Sequence, residues 1–312
     1  MAIAMDNLYE AKMPEATCGF ILRNYTTPFN YKHNVGVWFP TIGPSVAYNY
    51  LPYLKGNICI SGKPIGNSLP LIVISGGYAG TLYDQSYLAE AFAKSGFVAI
   101  SVAHTQFDNN KALGCERAWY RSHEIKNAID SFLKDPLSEK ICNPQQIGLL
   151  GFSAGGFSVL PLVGAKPKFD LDSSFKPYLS ELNGLNFETL SEPKIKAIGL
   201  LAPALGKVFD KKGLMDVKTP TLLITSERDE VLLSTPDIYR SALPNIVIDK
   251  ILSNSGHFVF NAEVSALMQK LSPESCLDTC LPRKTVHPEI TNLTVSFFKK
   301  YLAESKAVEK NV

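Results

Sequence analysis

Beyond Pro70 the chain settles into an alternation of apolar and mixed segments. Short unbroken apolar runs occur at "LIVIS" (71–75), "FVAISVAH" (97–104), "IGLLGF" (147–152), "IKAIGLLAP" (195–203), "TPTLLITSE" (219–227) and "IVIDKIL" (246–252). Runs of this length and purity read as strands buried on both faces. Between them, apolar residues recur at helical spacing. "YDQSYLAEAFAKSG" (83–96) stops at a glycine, and "ERAWYRSHEIKNAIDSFLKDP" (116–136) sets Ile125, Ile129 and Phe132 or Leu133 on one face before Pro136. Further helices are expected from Ser153, over "PDIYRSAL" (236–243) and over "EITNLTVSFFKKYLAES" (289–305). Ahead of Pro70, "CGFILRNY", "NVGVWFP" and "NICISG" are strand-like runs parted by Pro, Gly and Asn. Strands alternating with helices predict an α/β fold, a mostly parallel central sheet with helices on both faces.

One segment breaks the rhythm. Residues 166–194 are polar and punctuated by proline, and read as a small cap or lid reaching over the sheet edge. An ordinary long surface loop is the plainer alternative. With no internal repeat and no low-complexity linker, residues 1–312 read as a single domain. Apolar residues make up 46% and charged residues 19%, enough to build a large core and too apolar for extended disorder.

Charge and cysteine usage narrow the functional classes. A net charge of +2, with no Lys/Arg stripe and no zinc-finger spacing, argues against a nucleic-acid partner. No apolar run has the length of a transmembrane helix. The first twenty residues lack a basic segment followed by a long apolar core, so no signal peptide is visible. Six cysteines (Cys18, Cys59, Cys115, Cys142, Cys276 and Cys280) are scattered, which leaves buried thiols and one or two disulfides both open. Cys276 and Cys280, with His287 beyond, lack the fourth ligand of a structural zinc site.

In a parallel sheet, ligands bind beyond the carboxyl ends of the strands, so the residues just after each apolar run are the chemical candidates. Ser153 follows "IGLLGF" in the sequence G-F-S-A-G, Asp229 follows "TLLITSER", and His257 follows "IVIDKILSNSG". A bare G-x-S-x-G turns up by chance in roughly one chain in ten of this length. The order Ser, Asp, His is that of the α/β-hydrolase arrangement, and three separate placements fit it. Ser153 would attack as a nucleophile, His257 would take and return its proton, and Asp229 would hold the His257 tautomer. Asp216, Glu227, Glu230 and Asp237 are rival acids, and His104, at another strand end, is the alternative base.

An oxyanion needs donors. The expected ones are the backbone N–H of Ala154, next to the nucleophile, and that of Tyr78 in "SGGYAG", with Gly77 as the neighbour that would replace it. Gly77, Phe152, His104 and Phe258 are candidate pocket residues. Arg117, Arg121 and Glu124 read as a solvated or salt-bridged helix face.

"PLIVISGGYAGTLYDQSYLAEAFAKSGFVAISVAH", "IGLLGFSAGG", "PTLLITSERDEV" and "SGHFVF" together resemble the predicted dienelactone hydrolase family and the bacterial relatives of platelet-activating-factor acetylhydrolase. "VGVWFP" is similar to the W-[FY]-P element of those proteins, and "LSPESCLDTCLPRKTVHPEI" to the segment after their catalytic histidine. The resemblance implies a serine esterase with Ser153, Asp229 and His257 as its triad and no cofactor. It also implies an exported protein whose leader has been removed. Two departures stand out: Ser75-Gly76-Gly77 where the family has S-H-G, and Gly151-Phe152-Ser153 where it has G-H-S. Each replaces an imidazole near the site, so inherited substrate preference does not follow.

The expected activity is hydrolysis of carboxylic esters through an acyl-enzyme on Ser153, with a small ester or lipid as substrate. Short or medium acyl esters, or a lipid acetyl ester, are favoured over long triglycerides because no large apolar lid is visible. Amide or thioester hydrolysis would use the same triad. A hydrolase-fold binding protein with a silent triad is the alternative of another class.

Overall fold

Two antiparallel strands, β1 (Thr17–Thr26) and β2 (Lys32–Thr41), open the main sheet of the protein, for which a computed structural model describes residues 15–27, 30, 32–104, 107–108, 111–112, 119–182, 187–232, 235–278 and 280–303. From Ile21 to Thr26, β1 alternates half-buried and exposed positions, as an edge strand with one wet face should. A hairpin of β3 (Val46–Leu51) and β4 (Leu54–Ile58) stands apart from the sheet. The run "NICISG" therefore pairs earlier than expected, because the hairpin turn at Pro52–Tyr53 sets its register. β5 (Leu69–Ser75) and β6 (Val98–Val102) follow, then a two-residue ladder of β7 (Phe107–Asp108) and β8 (Lys111–Ala112).

The remaining strands are β9 (Cys142–Phe152), β10 (Ile195–Leu201), β11 (Thr221–Ser226) and β12 (Ile246–Leu252). The eight-stranded sheet runs β1-β2-β6-β5-β9-β10-β11-β12, and every ladder from β6 to β12 is parallel. All five residues of β6 and all six of β11 are buried, which is why these runs carry no polar alternation.

Side-chain alternation along the central strands divides the apolar residues between two layers. Leu71, Val73 and Leu149 face a layer built on Trp119, Ile125, Ile129 and Phe132 of helix Trp119–Phe132 and on Phe157. Ile72, Ile74 and Leu150 face a second layer with Leu88 and Phe92 of helix Ser86–Lys94 and with Phe297 and Phe298 of helix Arg283–Ala303. That last helix starts six residues ahead of Glu289 and carries Pro288 inside it. The start of this helix is tied down by Arg283, whose Nε donates to Asp278 at 2.9 Å.

Part of the 166–194 segment packs into the core. Short 3-10 turns at Phe169–Leu171 and Ser173–Tyr178 bury Phe169 and Phe175, whose rings lie 5.7 and 6.0 Å from that of Trp119. The prolines and polar residues hid these aromatic anchors. Helix Ala154–Val159 is also short, passing at Leu160–Val163 into a 3-10 turn that holds Pro161 and ends on Gly164 at φ +97°.

Cys18, Cys59, Cys142, Cys276 and Cys280 are free thiols, and Cys115 lies outside the described residues. Among the described residues, no helix is long and apolar enough to cross a membrane. Trp38, from "VGVWFP", is fully buried and donates from Nε1 to the Tyr50 hydroxyl at 2.7 Å, which in turn reaches Glu90 at 3.0 Å.

Candidate functional site

At the end of β9 the chain reverses through Ser153, which adopts φ 52° and ψ −119°. This backbone region is costly for a residue with a Cβ, on the order of 1–3 kcal/mol, and persists only where neighbours enforce it. They do so here. The Ser153 N–H donates to the Leu201 carbonyl at 2.9 Å, while the Ser153 carbonyl accepts from Gly156 and Ala204, each at 2.9 Å.

Two glycines make the turn possible. The Gly155 backbone lies directly against the Ser75 carbonyl, and Gly151 against the Gly155 carbonyl. A Cβ added at Gly155 would sit 2.6 Å from the Ser75 carbonyl carbon. Gly155→Ala is therefore expected to force the nucleophile turn and the 75–78 loop apart. It should destabilise the fold by about 1–3 kcal/mol, read by urea denaturation, and should lower any Ser153-dependent turnover by more than its loss of folded protein explains.

Three side chains from three loops meet above the sheet. His257 Nε2 lies 3.0 Å from Ser153 Oγ, and His257 Nδ1 lies 2.8 Å from Asp229 Oδ2. A carboxylate only accepts, so Nδ1 carries the imidazole proton and Nε2 accepts from the serine hydroxyl. Relative exposure is 8% for Ser153 and 1% for His257. Asp229 is held in turn, its Oδ1 accepting from Val231 N–H at 3.0 Å and Leu232 N–H at 2.8 Å.

Each rival acid is engaged elsewhere. Asp216 pairs with Lys166 at 2.9 Å, Asp237 with Arg240 at 2.7 Å, and Glu227 accepts the Asn254 N–H at 2.6 Å. Glu230 has a role the sequence did not disclose: its Oε2 accepts the backbone N–H of His257 at 2.9 Å and so fixes the loop that carries the imidazole. His287 stacks on Tyr87 with centroids 3.9 Å apart, and its Nε2 lies 2.9 Å from the Val259 carbonyl.

The other predicted positions divide. Phe152 is buried, its ring 5.0 Å from that of His257 and 5.7 Å from Phe260, so it forms the floor under the imidazole. Phe258 is half-buried and meets the His257 ring edge-on at 5.1 Å. Gly77 lies beside the turn: a Cβ built on it would be 3.6 Å from Ser153 Cβ. Tyr78 follows on the exposed side of that loop, and Ala154 is the first residue of the helix after the nucleophile turn. Phe157 packs between sheet and helix, 6.0 Å from Phe169.

His104 is not placed to serve Ser153. Its Nε2 lies 2.9 Å from Ser75 Oγ and its Nδ1 2.6 Å from Glu124 Oε2. Glu124 and Arg121, expected on a solvated helix face, are both buried. The sequence did hold a signal for this, since Arg121 and Glu124 fall on the same helical stripe as Ile125, Ala128 and Phe132. Arg117 lies outside the described residues.

Burial, and after it the Arg121 charge, hold the His104 pKa down from 6.5 to about 4, against the opposing pull of Glu124. The folded chain thus resists a proton that the unfolded chain accepts near pH 6.5. This contribution to stability is complete above that pH and is lost as pH falls toward 4, by up to ~1.4 kcal/mol per pH unit. His104→Gln, which cannot take the proton, should show a smaller drop in melting temperature than wild type between about pH 7 and pH 5. Parallel profiles would contradict this origin.

No family model matches the chain, and no curated protein sequence matches it. A solved structure does: a ferulic acid esterase from Streptomyces cinnamoneus, with a TM-score of 0.62 at 17% identity, over 97% of this chain and 95% of that one. The chain has the α/β-hydrolase fold. At that identity the likeness extends to the fold alone, and the narrower resemblance noted in the sequence gains no support from it.

Proposed function

We propose that the protein is a serine carboxylic-ester hydrolase that works through an acyl-enzyme on Ser153. One observation carries this proposal: the hydrogen-bonded chain from Ser153 Oγ through His257 to Asp229 Oδ2, at 3.0 and 2.8 Å, built on a strained turn. In the first step His257 Nε2 takes the hydroxyl proton as Ser153 Oγ adds to the ester carbonyl. Asp229 stabilises the imidazolium that results. Collapse of the tetrahedral intermediate sends the proton from Nε2 to the departing alkoxide, leaving the acyl group on Ser153. Water then repeats the sequence and releases the acid. The N–H groups of Ala154 and Tyr78, with Gly77 as the replacement for the latter, are the proposed donors to the oxyanion.

Short or medium acyl esters and lipid acetyl esters are the proposed substrates, in keeping with the sequence resemblance. Phe258 and the exposed Tyr78 offer apolar surface beside Ser153. The fold neighbour is a ferulic acid esterase, so feruloyl esters belong in the same comparison. The test is turnover of p-nitrophenyl acetate, butyrate and octanoate and of methyl ferulate, with p-nitroacetanilide as the amide control. Ester turnover with negligible amide turnover is expected. Turnover of the amide and none of the esters would overturn the ester assignment.

A further inference from the structure

Helix Trp119–Phe132 buries an arginine, Arg121, on the face that also carries Glu124, Ile125, Ala128 and Phe132. Arg121 is 7% exposed, and burial lowers its pKa from 12.5 to about 10, with Glu124 opposing, so it keeps its charge at neutral pH. A buried guanidinium is costly unless its donors are used. Arg121 directs two of them at the backbone of the glycine loop after β5: Nη1 donates to the Gly77 carbonyl at 3.2 Å, and Nη2 to the Gly76 carbonyl.

Peptide geometry turns that grip into a statement about donors. Among the described residues no peptide bond is cis, and in a trans peptide the C=O and the following N–H point in opposite directions. With the Gly76 and Gly77 carbonyls both drawn to one guanidinium, the N–H groups of Gly77 and Tyr78 both face away from it. The loop runs beside Ser153: a Cβ built on Gly77 would lie 3.6 Å from Ser153 Cβ. Successive N–H groups turned to one side form a concavity that suits an anion. The root of the loop is braced as well, since Ser75 donates to His104 Nε2 at 2.9 Å and His104 Nδ1 donates to Glu124 at 2.6 Å.

We infer that Arg121 is the positioning residue of the oxyanion loop, holding the Gly76 and Gly77 carbonyls so that the Tyr78 N–H, or that of Gly77 in its place, is presented to the developing oxyanion. This rests on the esterase proposal above. The guanidinium lies behind two aligned peptide dipoles in a water-poor setting, so its charge adds to the positive potential at their N–H ends. Because the oxyanion exists only in the tetrahedral state, the contribution falls on kcat and not on substrate binding.

Steady-state kinetics on p-nitrophenyl butyrate with Arg121→Gln and Arg121→Lys test it. For Arg121→Gln, kcat should fall by about 10²-fold, the scale of one lost oxyanion donor, with KM within about threefold. The Ki of an aliphatic trifluoromethyl ketone, which forms a tetrahedral oxyanion on serine, should rise by a similar factor. Arg121→Lys, which keeps the charge and one donor, should recover to within about tenfold of wild type. A kcat for Arg121→Gln within about threefold of wild type, or a loss carried by KM, would overturn the inference while leaving the esterase proposal intact.

A second measurement needs no variant. In a crystal structure of the wild-type protein phosphonylated at Ser153, the phosphonyl oxygen should lie about 3 Å from the Gly77 or Tyr78 N–H, with Arg121 on both carbonyls. An oxygen that reaches neither group rejects the role of the loop. Wild-type protein that neither turns over esters nor reacts with the phosphonate rejects the esterase proposal itself, and this inference with it.

Discussion

Ser153→Ala is expected to lower kcat/KM for p-nitrophenyl butyrate by about 10⁴- to 10⁶-fold, the range found when the nucleophile of a serine hydrolase is removed. The fold should survive the change. Ser153 makes its structural bonds through its backbone, to Leu201, Gly156 and Ala204, and its hydroxyl meets His257. Alanine accepts positive φ no worse than serine, so melting temperature should stay within a few degrees of wild type, or rise as strain around the hydroxyl is relieved. What remains of the rate would be the contribution of the oxyanion donors and of binding. Activity within tenfold of wild type would mean that ester turnover proceeds elsewhere.

Asp229→Asn is expected to cost about 10⁴-fold in kcat, because an amide can present its N–H to His257 Nδ1 and so stabilise the wrong tautomer, with the proton on Nε2 facing Ser153. The backbone N–H groups of Val231 and Leu232 would still find an acceptor in the asparagine carbonyl, which limits the structural cost. Asp237→Asn is the comparison, since that carboxylate pairs with Arg240 on the surface and should be silent in kinetics. If Asp237→Asn loses the activity and Asp229→Asn keeps it, the acid is misassigned. Glu230→Gln lies between them: its amide oxygen still accepts the His257 N–H, so a change of severalfold at most is expected.

Much of the architecture was legible in the chain because parallel strands must be apolar on both faces. The runs at 71–75, 147–152 and 221–226 could therefore be recognised without knowing their neighbours. The strand ends then named Ser153, Asp229 and His257, and those three side chains do meet in space. What stayed hidden depended on which residues a helix face or loop finds opposite it. Arg121 and Glu124 looked like a wet helix face until the glycine loop and His104 supplied their partners. Phe169 and Phe175 were embedded among lysines, prolines and aspartates, and the rings of Trp119 and Phe157 that bury them come from elsewhere in the chain. Glu230 acts through a backbone N–H, a contact that leaves no residue-type signature at either end.

The two departures from the resembling family also become interpretable. Phe152 lies under the imidazole where a histidine would bring a second titratable ring, so the His257 environment is apolar on that face. Gly76, in place of histidine, leaves room for the Gln85 side chain: a Cβ built there would lie 3.0 Å from its Oε1. Neither position supplies a group to the Ser153–His257–Asp229 chain.

The most direct test of the proposal asks which atom becomes acylated. Wild-type protein treated with a fluorophosphonate, digested and mapped by mass spectrometry should carry one adduct, on the peptide containing Ser153, and Ser153→Ala should carry none. The structure offers a pointed alternative, since Ser75 also hydrogen-bonds a histidine that in turn meets a carboxylate. Its hydroxyl is buried, and reagent should not reach it. An adduct on Ser75, or no adduct in protein that still hydrolyses esters, would contradict an acyl-enzyme on Ser153.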